Sequence, residues 1–191
     1  MLKKIKQLKH DNPILGFIIG FLFMFLLLYY GNQFFIGIST PGNLYVPNLD
    51  NYFNYIQWLR SLLLQTSSII LNLFGLETHA TTWRLILPNG DSIKLVYKCL
   101  GIGIISVWVA FVVAFPQQKL NKFKYALLGI FAILLINIIR IIGLAIVFSN
   151  NDMTIYKHID QQHFFYNVAC YIIIFWMMKR WIDKSEMFNT K

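Results

Sequence analysis

Four stretches of this chain are apolar enough to be read as helices that cross a bilayer: residues 14–35, 99–116, 124–148 and 163–180. A crossing helix needs roughly 20 mostly apolar residues. The second and fourth have shorter apolar cores, 100–115 and 164–178, and must recruit their flanks. Between the first and second lies a segment of mixed character, 37–98. Within it, Gln57, Arg60, Ser61, Gln65, Ser68 and Asn72 recur at helical spacing among apolar neighbours, so they share one face of a helix over 55–74. The pattern predicts an amphipathic helix lying on the outer membrane surface. A polar-faced span packed inside a bundle is the alternative. Residues 82–98 change period. Trp83 to Leu87 and Ser92 to Tyr97 are β-prone, and Pro88-Asn89-Gly90-Asp91 between them is a turn signal. The second strand runs toward Cys99, and its edge is one to which an extended peptide could add. The expected fold class is an all-α polytopic membrane protein. It has about four transmembrane helices, an outer amphipathic helix and a short outer β-hairpin in a single membrane-embedded domain over residues 1–191.

Charge sets the orientation. Lys3, Lys4, Lys6 and Lys9 precede the first span, Lys119, Lys122 and Lys124 lie between the second and third, and Lys179, Arg180 and Lys184 follow the fourth. Basic residues flanking spans stay in the cytoplasm. Four spans with both termini inside put all three clusters there. Residues 1–13 are then a cytoplasmic start, 181–191 a cytoplasmic tail, and 37–98 face outward. The membrane expected is the inner, cytoplasmic one. The first apolar run follows a basic start, as a signal peptide does. It is longer than the apolar core of such a peptide and no small-x-small cleavage pattern follows, so it reads as an uncleaved span.

Composition agrees with this. Hydrophobic residues make up 57% of the 191 and charged residues only 13%, against about 25% in a soluble domain. The net charge of +9 does not indicate a nucleic-acid partner, because the basic residues flank apolar runs and form no basic face. The two cysteines, Cys99 and Cys170, fall in different spans, so no disulfide is expected. No Cys/His pair has metal-ligand spacing, and neither metal nor cofactor is expected.

Arg140 is the outstanding residue. It lies inside the third apolar run, where a charge costs about 2.5–3.5 kcal/mol on insertion scales. Under the predicted topology it sits about two turns below the outer end of its helix. Cys99 and His163 begin the neighbouring spans at the same outer level. A cysteine attacks as its thiolate, which a neighbouring cation or a helix N-terminus favours. Histidine is the side chain suited to move a proton near neutral pH. Arginine holds its proton and can pair with a thiolate, an oxyanion or a carboxylate. Together they suit acyl transfer through a thioester. Asn137, three residues before Arg140 and on the same face, can fix the guanidinium, line a substrate cleft or serve as helix–helix glue. Cys170, mid-helix, reads as an inert apolar residue. His158 could stand in for His163. Arg140 alone could instead snorkel to the interface or pair with Asp152 or Asp160.

Cys99-Leu100-Gly101 opening one span, Asn137-Ile138-Ile139-Arg140 inside the next and His163-Phe164-Phe165-Tyr166 opening the last resemble the motifs of the exosortase/archaeosortase family. The resemblance covers roughly residues 82–181, and the length is that of small members such as the exosortase F type. It implies a membrane cysteine protease or transpeptidase. Its substrates would be exported proteins with a C-terminal recognition motif, a transmembrane helix and a basic tail. On that resemblance Cys99 is the nucleophile, Arg140 the stabilising cation and His163 the proton shuttle, with Asn137 and Gly101 as candidate substrate-binding residues. Two positions depart from the family's usual pattern: Leu100 stands where a small polar residue often follows the cysteine, and Asn167 where glycine often follows the histidine. Two other function classes remain. A small transporter or channel subunit would line its path with Arg140 and Asn137. An assembly factor would pair Arg140 with a partner's acidic residue.

Overall fold

The computed structural model describes residues 13–40, 46–48, 53–116, 122–149 and 159–183; of these, the side chains of residues 13, 98 and 159–166 are outside the description. Helix α1 is Pro13–Ser39 and α2 is Tyr55–Leu73. Three short strands follow, β1 His79–Ala80, β2 Arg84–Ile86 and β3 Ser92–Lys94, then a 3₁₀ turn, Tyr97–Leu100. Helices α3 Ile102–Ala114, α4 Lys122–Ser149 and α5 Ile159–Asp183 complete the chain. Among the described residues, α1 and α4 are long and apolar enough to cross a membrane, and α3 is a shorter apolar helix.

Helix α4 organises the rest. Its buried residues are Gly129, Ile133, Asn137, Ile141 and Ala145, one every fourth position, which is a single stripe along a helix. Phe123, Leu127, Phe131, Leu135 and Ile139 are exposed on its other side, as residues facing lipid would be. Two apolar clusters share the stripe. Near the Lys122 end, Ile133 packs with Trp108, Phe111 and Val112 of α3 and with Ile174, Met177 and Trp181 of α5. Near the Ser149 end, Ile141 and Ala145 pack with Leu63, Leu64 and Leu71 of α2, with Leu85 of β2 and with Leu95 and Leu100. Gly129 lets the Trp108 ring lie against the α4 backbone, where its indole Nε1 donates to the Ala126 carbonyl at 3.1 Å.

The helix predicted over 55–74 is present, and its polar stripe is divided: Gln65 and Asn72 are exposed, and Gln57 and Ser61 are half-buried. Arg60 and Ser68 are buried, whereas Trp58, Leu62, Ile69 and Leu73 are exposed. Asn54 caps the helix by accepting from the Gln57 amide. Ser68 donates to the Thr78 carbonyl at 2.9 Å, and Asn72 accepts from the Thr78 amide at 2.7 Å. The helix therefore spends its polar groups on the segment leading into the sheet. The Arg60 guanidinium lies 4.1 Å from the Trp83 ring centroid and 4.5 Å from that of Tyr97. Among the described residues its Nε and Nη1 have no hydrogen-bond partner, so the two ring faces are its main compensation.

The expected hairpin is also present, with Arg84↔Lys94, Leu85↔Ile93 and Ile86↔Ser92 in register. Gly90 takes φ +86° in its turn. The pairing is shorter than the β-prone runs, and β1 adds a third strand, giving the order β1-β2-β3. Two residues of β1 carry no periodic signal, so the sequence did not announce it.

Candidate active site

After β3 the chain continues extended through Val96 and then tightens into the 3₁₀ turn that holds Cys99. The Cys99 amide donates to the Val96 carbonyl at 2.9 Å, closing the turn. Gly101 follows with φ +74° and ψ 12°, a left-handed conformation that costs an L-residue roughly 1–2 kcal/mol. That reversal is why α3 begins at Ile102 and not at Cys99, as the predicted span had it. The nucleophile candidate sits in a turn before the helix, and the Gly101 carbonyl accepts the first helical bond, from Ile105 at 2.9 Å.

One face of α4 meets this turn twice. Asn137 is buried, and its Nδ2 donates to the Leu100 carbonyl at 3.3 Å. One turn further on, the Arg140 Nη2 donates to the Cys99 Sγ at 3.7 Å. The three-residue spacing puts both side chains on the same side of the helix. Asn137 thereby fixes the carbonyl next to the cysteine while Arg140 faces the sulfur. Arg140 and Cys99 are both half-buried. They open onto a cleft of about 560 Å³, bounded by β3 and Val96 on one side and by Gly143, Leu144 and Val147 on the other. Asn137 lines the cleft as well. At the Phe148 end, the Asn89 side-chain amide of the hairpin turn donates to the Phe148 carbonyl at 3.1 Å.

The structure thus brings together two of the three residues singled out as chemistry-bearing. His163 is on α5, but its side chain lies outside the described residues, as do His158 and the side chains of Asp152 and Asp160. Gly101 does not line the cleft. It is buried where an added Cβ would stand 2.8 Å from Asn137 Nδ2 and 3.3 Å from Ile133 Cγ2. Cys99 and Cys170 form no disulfide with one another, and Cys170 is buried in α5. Sequence reasoning missed the support beneath the turn. Tyr97, two residues before Cys99, is held by the Arg60 guanidinium and by a 3.0 Å hydrogen bond with Thr40 Oγ1. The one available signal was Arg60 itself, the single charged residue of α2.

Gly101→Ala is expected to keep the helices but lose most of the site's function. The left-handed strain and the 2.8 Å contact both push against Asn137, and the easiest relief rotates the cysteine turn. Alkylation of Cys99 by iodoacetamide, followed by mass spectrometry, should change rate several-fold while the circular dichroism stays helical. An unchanged rate would mean the glycine matters only for packing.

The chain matches the family model described as Transmembrane exosortase (Exosortase_EpsH) over residues 5–179. That match is to the family as a whole and does not single out the F type. Among curated proteins and solved structures none matches the chain. The match takes in the hairpin, the cysteine turn and α4 with its arginine, and by it this chain belongs to the transmembrane exosortase family and is a membrane protein.

Proposed function

We propose that the protein is a membrane cysteine protease/transpeptidase that cuts exported proteins at a C-terminal sorting signal, a recognition motif followed by a transmembrane helix and a basic tail. The observation that carries the reading is the 3.7 Å contact between Arg140 and the Cys99 sulfur, made inside a cleft large enough for a peptide segment. Membership of a family concerned with protein sorting supports it.

In this reading the Cys99 thiolate adds to the carbonyl carbon of the scissile peptide. An S–C bond forms, and the carbonyl π pair moves onto oxygen. Arg140 lies where it can hold first the thiolate and then the oxyanion. The oxyanion collapses, the C–N bond breaks, and the departing amine takes a proton from His163. The thioester left on Cys99 then passes its acyl group to water or to another nucleophile, which regenerates the thiol. The role of His163 rests on its position in the sequence. The site faces the outer side of the membrane under the orientation that the lysine clusters predict.

The test is co-expression with an exported protein carrying such a C-terminal signal, followed by measurement of its cleavage. Arg140→Lys keeps a positive charge but removes the planar fork of donors, and is expected to slow cleavage on the order of 10²-fold. His163→Ala is expected to slow it comparably. Cleavage at the parental rate in Arg140→Lys would remove the arginine from the mechanism.

A further inference from the structure

Strand β3 is an edge strand, since the sheet order is β1-β2-β3. Its hydrogen-bonding parity follows from the bonds at its two ends. Leu95 donates to the Trp83 carbonyl at 3.3 Å, and Leu87 donates to the Asp91 carbonyl at 2.8 Å. In an antiparallel pair, hydrogen-bonded and non-hydrogen-bonded positions alternate. Residues 91, 93 and 95 therefore turn their backbone groups toward β2, and Ser92 and Lys94 turn theirs away from it. Among the described residues no strand pairs with that outward side. Consecutive residues from Asp91 to Val96 border the cleft that also contains Cys99 and Arg140, as expected of a strand that meets a cavity edge-on. An open row of main-chain donors and acceptors thus runs alongside the reactive sulfur.

We infer that the substrate segment beside the scissile bond binds as a fourth strand on β3, pairing with the outward backbone groups of Ser92 and Lys94. This rests on the peptidase reading above and gives that site its mode of substrate recognition. The occupant is an extended peptide, because only an extended backbone matches the spacing of an open strand edge. The path from Lys94 to Cys99 is an extended stretch followed by part of a 3₁₀ turn, at most about 14 Å. The paired residues therefore lie within about four residues of the bond that is cut. Side chains of the bound strand that point toward α4 meet Gly143, Leu144 and Val147, a surface that favours apolar groups. A three-residue edge with Lys94 on it is short and charged, which suits one brief segment and discourages stacking of whole sheets.

The experiment uses the purified full-length protein in detergent and three alkylating probes. They are bromoacetyl-Thr-Val-Thr-Val-amide, the same peptide with N-methylated valines, and bromoacetamide. Each reacts by forming an S–C bond as the C–Br bond breaks, with bromide leaving and the thiol proton passing to buffer. Mass spectrometry of the Cys99 peptide gives the rates, read as the ratio of each peptide to bromoacetamide. The unmethylated peptide is expected to react about tenfold faster than bromoacetamide, the effect of two main-chain hydrogen bonds. The ratio should fall to near one for the methylated peptide. It should fall likewise for the unmethylated peptide on Lys94→Pro, which removes one outward N–H and leaves the pairing of Ile93 and Leu95 with β2. A ratio near one for the unmethylated peptide on the parent chain would overturn the proposal. So would an advantage that survives methylation. Should Lys94→Pro misfold, the methylated pair on the parent chain still decides. These rates need only a reachable thiol, so their failure leaves cysteine-dependent processing untouched. Processing that persisted in Cys99→Ala would sink the peptidase reading and leave the rates standing.

Discussion

Cys99→Ala is expected to abolish processing of a co-expressed substrate while the protein accumulates as before. Removing the nucleophile removes every step that passes through the thioester, a loss on the order of 10⁴-fold or more when the residues act as a unit. The effect on folding is small by comparison. Cys99 is only half-buried, at the margin of the cluster built around Leu63, Leu85 and Leu100, so losing its sulfur costs about 1 kcal/mol. The turn itself is held by the Val96 carbonyl, by Asn137 on Leu100 and by the glycine that follows, none of which uses the thiol. Immunoblots for the substrate and for the protein separate the two effects. Normal processing by Cys99→Ala would end the peptidase reading, and a transporter would give that result. Intact cleavage with loss of a bound partner would point to an assembly factor.

The second large effect is expected at a glycine distant from the chemistry. A Cβ at Gly129 would overlap the Trp108 indole, and Trp108 is fully buried with its Nε1 on the Ala126 carbonyl. The ring has nowhere to retreat, because Phe111 and Tyr125 pack against it. Gly129→Ala therefore has to separate α3 from α4 and break the indole hydrogen bond. Overpacking and the orphaned donor together give a destabilisation of roughly 3 kcal/mol or more. The damage should reach the site, because the same two helices carry the cysteine turn and Arg140. Thermal unfolding in detergent should show a large drop for Gly129→Ala. Gly37→Ala is the control: a Cβ there meets nothing within 4 Å, and alanine favours helix slightly. Equal melting of the two variants would mean that the Trp108 contact is not a packing constraint.

How much of this was legible in the sequence depended on the period of each segment. Long apolar runs announced α1 and α4, and a helical period announced α2, because those signals extend over many residues. Arg140 was legible because a charge in an apolar helix is costly without a use, and in the structure its Nη2 lies 3.7 Å from the Cys99 sulfur. Asn137 was legible as a residue on the same face; its bond to the Leu100 carbonyl was not, because it depends on the depth at which α4 crosses the turn. Helix α3 starts at Ile102, three residues after the start of the predicted span. Nothing local distinguishes a glycine that interrupts a helix from one inside it, and only the left-handed φ at Gly101 reveals the break. The burial of Arg60 and Ser68 within the α2 polar stripe was hidden for a related reason. Periodicity shows that polar residues share a face but not what that face meets, and here it meets Trp83, Tyr97 and Thr78. His163 lies beyond the comparison because its side chain is outside the described residues.

Helix α4 has 28 residues, hence a length of about 42 Å, and the oily slab of a bilayer is only about 30 Å thick. With Lys124 at one boundary, the slab is crossed by about residue 144. Residues 145–149 then stand clear of it as a ledge. Arg140 falls about 6 Å short of that second boundary, within the reach of an arginine stretched toward water. The surplus length of one helix thus resolves the apparent paradox of a cation in a greasy rod. Under the proposed function, that depth sets the guanidinium and its sulfur at the waterline, where a protein tethered by its own tail could be severed without being dragged into oil.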